Sequence, residues 1–363
     1  MEVQKPARLD ALTGLRCFAA LNIVFFHFSN PDWFGPFAPI VNAGYLSVSF
    51  FIMLSGFVLA YNYAGRAQEG KLGKVRFWKA RLTRLYPVYL LSLVLGFQTY
   101  LGERSAHTHA MFWAGTILTP LLLQGWIPEI ATFGNTPAWT MSAEAAYYVI
   151  FPWVAAIKPP QRWTGHLWRL GGLWLLGMIP GTLYVIFNPD HIAHVDRFSS
   201  APWLQALKFT PLPHLPSFVF GVLLASLDEV LPRTGWLRTV IGLFGFAAIY
   251  SILVYGGVPY ALIHDGILMP LFGCLILGLS GINPLSKLFG FSVFVFVGES
   301  SYCLYLMHFN LWNLWHATGL LQRLGIQWMD PWISYAILVS LGLATLYLVE
   351  KPAQKLLRQW MGA

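Results

Sequence analysis

Long apolar runs separated by short polar stretches repeat along the chain. A helix that crosses a bilayer needs ~17–25 mostly apolar residues. Runs of about that length fall near 11–30, 45–63, 77–100, 138–157, 168–187, 213–228, 236–255, 258–280, 293–315 and 331–350. One further apolar stretch, 110–124, is shorter and contains Pro120. The pattern predicts an all-α polytopic membrane protein with ten or eleven spans. With no internal repeat in view, residues 1–363 are expected to form a single membrane domain.

Basic residues decide between ten and eleven, because Lys and Arg collect in cytoplasmic loops. Arg66, Lys71, Lys74, Arg76, Lys79, Arg81 and Arg84 crowd the connection between the second and third runs. Lys158, Arg162 and Arg169 follow the 138–157 run, and would face outward if 110–124 also crossed. The 110–124 stretch is therefore expected to be re-entrant or interfacial. About ten spans then place both termini in the cytoplasm, beside Lys5 and Arg8 at one end and Lys351, Lys355 and Arg358 at the other. Arg233, Arg238 and Lys287 fall on the same side.

Composition agrees. Hydrophobic residues make up 56% of the chain and charged ones only 10%, against about 25% charged in a soluble domain. The net charge of +8 follows from cytoplasmic loops and calls for no nucleic-acid partner; the implied neighbours are membrane lipids. Cys17, Cys274 and Cys303 all lie in apolar runs and read as packing residues. No Cys/His spacing suggests a metal site. Lys5 and Arg8 precede the first run without a small-residue cleavage site, so a removable signal peptide is not expected.

Ionisable side chains inside a span are costly and mark functional sites. Arg16 and His27 are eleven residues apart in the first run, which places them on nearly one helix face, about 16 Å apart along the axis. A bland alternative has Arg16 snorkelling to the headgroups and His27 satisfied between helices. Trp139, Ser142 and Glu144 open the 138–157 run, with Glu144 at a depth similar to that of His27. A carboxylate there could orient the imidazole as a general base. Arg81 and Arg84 share a helix face and suit a phosphate-bearing ligand, although topogenic arginines explain them too. Tyr305 and His308 are three apart and can meet on one face. His264 and Asp265 form another costly pair, and Glu350 precedes Lys351-Pro352 as an expected local cap or pair. The outer loops carry Asp32, His107, His109, Glu129, Asp190, His191, His194 and Asp196, as solvated loops commonly do.

Together these features resemble the acyltransferase-3 family of integral membrane acyltransferases. The matching residues, in order, are Leu9-Asp10, Leu15-Arg16 with His27, Phe50-Phe51 with Leu54 to Phe57, and Arg81 to Pro87. Trp139 to Glu144 with Tyr147, Ser301-Tyr302 through Tyr305-Leu306 to His308, and Glu350-Lys351-Pro352 complete the series. They cover residues 9 to 352. Thr140 stands where the family commonly has a Ser.

The resemblance implies transfer of an acetyl group from cytoplasmic acetyl-CoA to a hydroxyl of an exported or lipid-linked surface polysaccharide at a bacterial inner membrane. It implies catalytic roles for His27, Glu144 and Arg16, and donor binding by Arg16, Arg81, Arg84 and Tyr302. Trp139, Ser142, Tyr305 and His308 are the expected substrate-binding residues, and no metal is expected. Many relatives carry a hydrolase-like domain after the last span. This chain stops at Ala363, so it is expected to complete transfer alone or with separate glycan-assembly machinery. A proton-coupled transporter or flippase of a lipid-linked glycan is the competing class, because intramembrane Arg, His and Glu suit it as well.

Overall fold

The computed structural model describes residues 9–264 and 266–362; Lys5, Arg8 and Asp265 lie outside them. The helices that matter below are α1 (Asp10–Phe28), α2 (Leu46–Gln68), α3 (Lys74–Leu95), α4 (Phe97–Ala106), α5 (His109–Leu118), α6 (Trp139–Val154), α7 (Trp163–Phe187), α8 (Pro202–Phe209) and α9 (Pro211–Val230). They continue with α10 (Trp236–Tyr255), α11 (Tyr260–His264), α12 (Met269–Leu279), α13 (Ser292–Glu299), α14 (Ser301–Ala317), α15 (Trp332–Thr345) and α16 (Lys351–Met361). The protein is an all-α polytopic membrane protein, with no β-strand among the described residues.

Seven helical stretches among the described residues are long and apolar enough to cross a bilayer, and the bent pair α3–α4 makes an eighth. Ten are expected from hydropathy and loop charge together. The remaining two, near 138–157 and 293–315, contain α6 and α14, of 16 and 17 residues. At ~1.5 Å per residue these are about 24–26 Å long, short of the ~30 Å hydrocarbon core. A proline turn at Thr136–Ala138 precedes α6, and a break at Ser300 separates α13 from α14. Hydropathy sees neither interruption. These two short helices also carry most of the polar residues of the site.

The inner and outer helices differ in burial. Only 22% of the apolar window is buried in α7 and in α10, whereas 56% is buried in α2. Exposed Trp168, Phe187 and Trp236 make α7 and α10 lipid-facing. One close inner crossing is α2 on α9. A Cβ at Gly56 would run into the Phe218 carbonyl, and one at Gly221 into the Met53 carbonyl. Only glycine allows that approach.

Helix α5 has ten residues, about 15 Å, and cannot span. The chain then turns back into the protein. Tyr89 donates to the Thr119 carbonyl at 2.5 Å, Gln124 to the Ala138 carbonyl at 3.0 Å, and Asn135 to the Leu306 carbonyl at 2.9 Å. Non-helical backbone at this depth is tolerable because protein groups satisfy it, and the 110–124 stretch is re-entrant in this sense.

The basic loops gather at one end of the bundle. Lys79 donates to the Met361 carbonyl at 2.9 Å, Lys74 sits 4.4 Å over Trp153, and Arg233 sits 5.7 Å over Tyr61. Between α15 and α16 the helix widens into one π-turn, Leu346–Glu350, which buries Glu350. Such turns often mark functional positions.

Candidate active site

A cavity of about 360 Å³ lies among α1, α2, α3, α6 and α14. Arg16, Arg81, Arg84 and Glu144 all line it, with Tyr302 and Tyr305 on the α14 wall. The four-residue spacing on α6 lets Tyr148 reach Glu144, and its hydroxyl donates to Glu144 Oε1 at 2.5 Å. Ser55 of α2 donates to the same oxygen at 3.0 Å. Tyr302 donates to the Leu85 carbonyl at 2.8 Å, tying α14 to α3.

The cavity is cationic. Glu144 and Glu350 both lie within electrostatic reach of Arg16 and Arg84, which leaves two carboxylates against three guanidiniums. Glu350 is not a local cap as expected; it accepts from Cys303 Sγ at 3.0 Å, and the π-turn is what swings it inward. Arg81 donates to the Tyr63 hydroxyl at 3.1 Å and lies over the Tyr63 and Phe77 rings. Its buried Nε has no hydrogen-bond partner among the described residues, and neither Arg16 nor Arg84 makes a hydrogen bond to one. Guanidiniums so disposed suit a ligand with several anionic oxygens.

His27 lies away from this cavity, toward the opposite end of α1. Its ring centroid is 5.2 Å from that of His308 on α14, with Phe26, Phe28 and Phe309 beside it, and His27 itself is exposed. His308 is fully buried and its Nδ1 meets the Tyr305 carbonyl at 2.6 Å. Tyr305 thus belongs to both places: its ring lines the cavity while its carbonyl holds His308. Its hydroxyl bonds Thr140 at 3.1 Å and the Pro137 carbonyl at 3.2 Å.

Several sequence expectations change here. Glu144 does not hydrogen-bond His27; it belongs to the arginine cavity, and His308 is the imidazole's neighbour. The charged group within electrostatic reach of His27 is Arg197, a loop residue without a motif. Ser142 is buried and donates to the Leu122 carbonyl at 2.7 Å, so it fastens the re-entrant segment and does not face the cavity. Trp139 also lies outside the cavity, packed on His214 and Phe209 at 5.1 and 5.7 Å. Arg16, Arg81, Arg84, Tyr302 and Tyr305 do line it. Tyr148 went unnoticed beside Tyr147, whose hydroxyl donates to the Pro211 carbonyl.

A family profile described as an acyltransferase domain matches residues 9–351, nearly the whole chain. The chain belongs to the acyltransferase-3 family. Among its relatives, acyltransferase MdmB of Streptomyces mycarofaciens is 28% identical over 330 residues, covering 86% of this chain and 81% of MdmB. The O-acetyltransferase OatA of Staphylococcus aureus is 22% identical, covering 85% of this chain and 51% of OatA. The chain thus spans about half of OatA's length. A shorter match, 42% identical over 95 residues, joins it to protein 2 of the picA locus in Rhizobium radiobacter. No solved structure matches the chain. Membership makes this a membrane acyltransferase.

Proposed function

We propose that the protein is an O-acyltransferase that takes an acetyl group from cytoplasmic acetyl-CoA and delivers it to a hydroxyl of an exported or lipid-linked bacterial surface polysaccharide. The observation that carries this reading is the cavity lined by Arg16, Arg81, Arg84 and Glu144, with His27 farther along the helix that carries Arg16. Three guanidiniums fit the phosphates of an acyl-CoA, whose thioester supplies the activated acyl group. Arg81 and Arg84 hold the phosphates and Arg16 guides the arm toward Tyr305. His27 accepts the proton of the acceptor hydroxyl and returns it to the departing thiolate. Because Arg16 and His27 sit on one helix, donor and acceptor approach from opposite ends of α1. This reading puts the chain in a bacterial inner membrane, and the loop charges support an orientation with the basic end in the cytoplasm.

The test uses purified protein in lipid nanodiscs with radiolabelled acetyl-CoA. Wild type is expected to release CoA slowly, with water standing in for the acceptor hydroxyl, and His27→Ala to lower that release by roughly 10²–10⁴-fold. Glycan flux in vesicles without CoA consumption would assign the transporter class instead.

A further inference from the structure

We infer that Arg197 is the acceptor-binding cation of the site, and that the acceptor carries a carboxylate or phosphate near the hydroxyl that is acylated. This rests on the acyl-transfer reading and adds the chemical class of the acceptor.

Arg197 lies in the connection between α7 and α8, and its guanidinium sits 5.0 Å over the Phe26 ring. Phe26 in turn lies 4.9 Å from the His27 ring and 5.8 Å from Tyr45. Arg197 is within electrostatic reach of both His27 and Tyr45. One ring therefore separates a guanidinium from the proposed base, at the end of α1 opposite the arginine cavity.

The position is built. Lys208, only 4% exposed, donates to the Arg197 and Ser199 carbonyls at 3.1 and 2.8 Å. Asp196 accepts from the Phe198 and Ser199 backbone N–H groups at 2.9 and 2.8 Å. The Ser199 hydroxyl adds a bond at 2.9 Å, and these contacts hold the Asp196 carboxyl below its usual range. Asp190 is likewise occupied, accepting from Tyr184, Trp203 N–H and Leu204 N–H. Both loop carboxylates thus serve the backbone. Arg197 makes one hydrogen bond, to the Asn42 carbonyl at 3.3 Å, and no ion pair with a described residue.

A fixed cation beside a general base opposes its protonation. As the acceptor oxygen bonds to the acyl carbon and the carbon–sulfur bond breaks, His27 must hold the hydroxyl proton until the thiolate takes it. An anionic group on the acceptor, bound to Arg197, offsets that repulsion and places the hydroxyl beside His27.

CoA release from radiolabelled acetyl-CoA is measured with methyl glucoside, methyl glucuronide and methyl glucoside 6-phosphate as probes, each over a concentration series. In wild type the better anionic probe is expected to change the rate at roughly tenfold lower concentration than the neutral one, and the order of the two anions identifies which is taken. Arg197→Gln is expected to bring all three together, and Arg197→Lys to retain part of the difference. Equal or absent response of wild type to the three probes overturns the inference, as does a preference that survives in R197Q. If wild type binds no CoA by isothermal titration, the acyl-CoA reading itself fails.

Discussion

The imidazoles of His27 and His308, on α1 and α14, lie 5.2 Å apart between centroids beside Phe28 and Phe309, with His308 buried and His27 exposed. His308 Nδ1 contacts the Tyr305 carbonyl, which can only accept, so Nδ1 carries a proton and neutral His308 keeps its lone pair on Nε2. That Nε2 is buried without a hydrogen-bond partner among the described residues. A ring so fixed is expected to position His27.

The first prediction separates the two nitrogens of His308. Asn at position 308 can still donate to the Tyr305 carbonyl but lacks Nε2; Ala lacks both. Each is expected to lower kcat for CoA release by roughly 10–100-fold, the range seen when a partner orienting a functional imidazole is removed. KM for acetyl-CoA should hold, because His308 does not line the arginine cavity. A thermal melt confirms folding, and wild-type kcat in H308N would rule the role out.

Glu144→Gln tests where this carboxylate acts. The amide oxygen can still accept from Ser55 and Tyr148, so the change is mainly one of charge. Removing a negative charge from among three arginines strengthens their attraction for a polyanion. CoA is expected to bind several-fold more tightly, by about 1 kcal/mol for one screened charge interaction. Isothermal titration reads this directly. If Glu144 served only to orient His27, CoA affinity would not move.

Arg81 and Arg84 should part company. Arg84 makes no hydrogen bond to a described residue, so Arg84→Ala is expected to raise KM for acetyl-CoA roughly 10–100-fold with little change in melting temperature. Arg81 is 8% exposed, bonded to Tyr63 and stacked on two rings. Arg81→Ala should therefore lose both affinity and stability. Equal melting curves for the two variants would contradict the geometry.

Much of this site is legible in the sequence where one helix carries it. The eleven-residue interval from Arg16 to His27 and the three-residue interval from Arg81 to Arg84 depend only on helix pitch, and both hold. Contacts between helices are a different matter. Glu144 meets Ser55 of α2 instead of His27 because crossings between helices set which side chains meet, among them the α2–α9 approach at Gly56 and Gly221. The inward turn of Glu350 depends on a single π-turn. Arg197 sits in a loop whose geometry comes from Lys208 and Asp196, and no periodicity marks it. Hydropathy finds apolar length but not the interruptions near Gly96 and Ser300, which is why full-length spans number fewer than apolar runs.

The last prediction concerns a charge pair outside the site. Asp228 of α9 and Arg238 of α10 are 0% and 1% exposed and meet at 2.5 Å. Arg238 also donates to the carbonyls of Pro232, Asp228, Leu231 and Leu277 and to the Ser280 hydroxyl. Ser280, just after α12, donates to Asp228 in turn. One guanidinium therefore ties the lipid-facing α10 to the inner α9 and α12. Removing one partner leaves the other charge buried, at a cost of about 3–5 kcal/mol. Asp228→Ala should lower the melting temperature in detergent markedly, and acyl-CoA turnover per folded molecule should stay near wild type. Replacing both partners with apolar residues, as in D228L/R238M, removes the stranded charge and should recover part of the loss. A double variant less stable than D228A would show that the carbonyl contacts of Arg238, and not charge pairing, hold the three helices together.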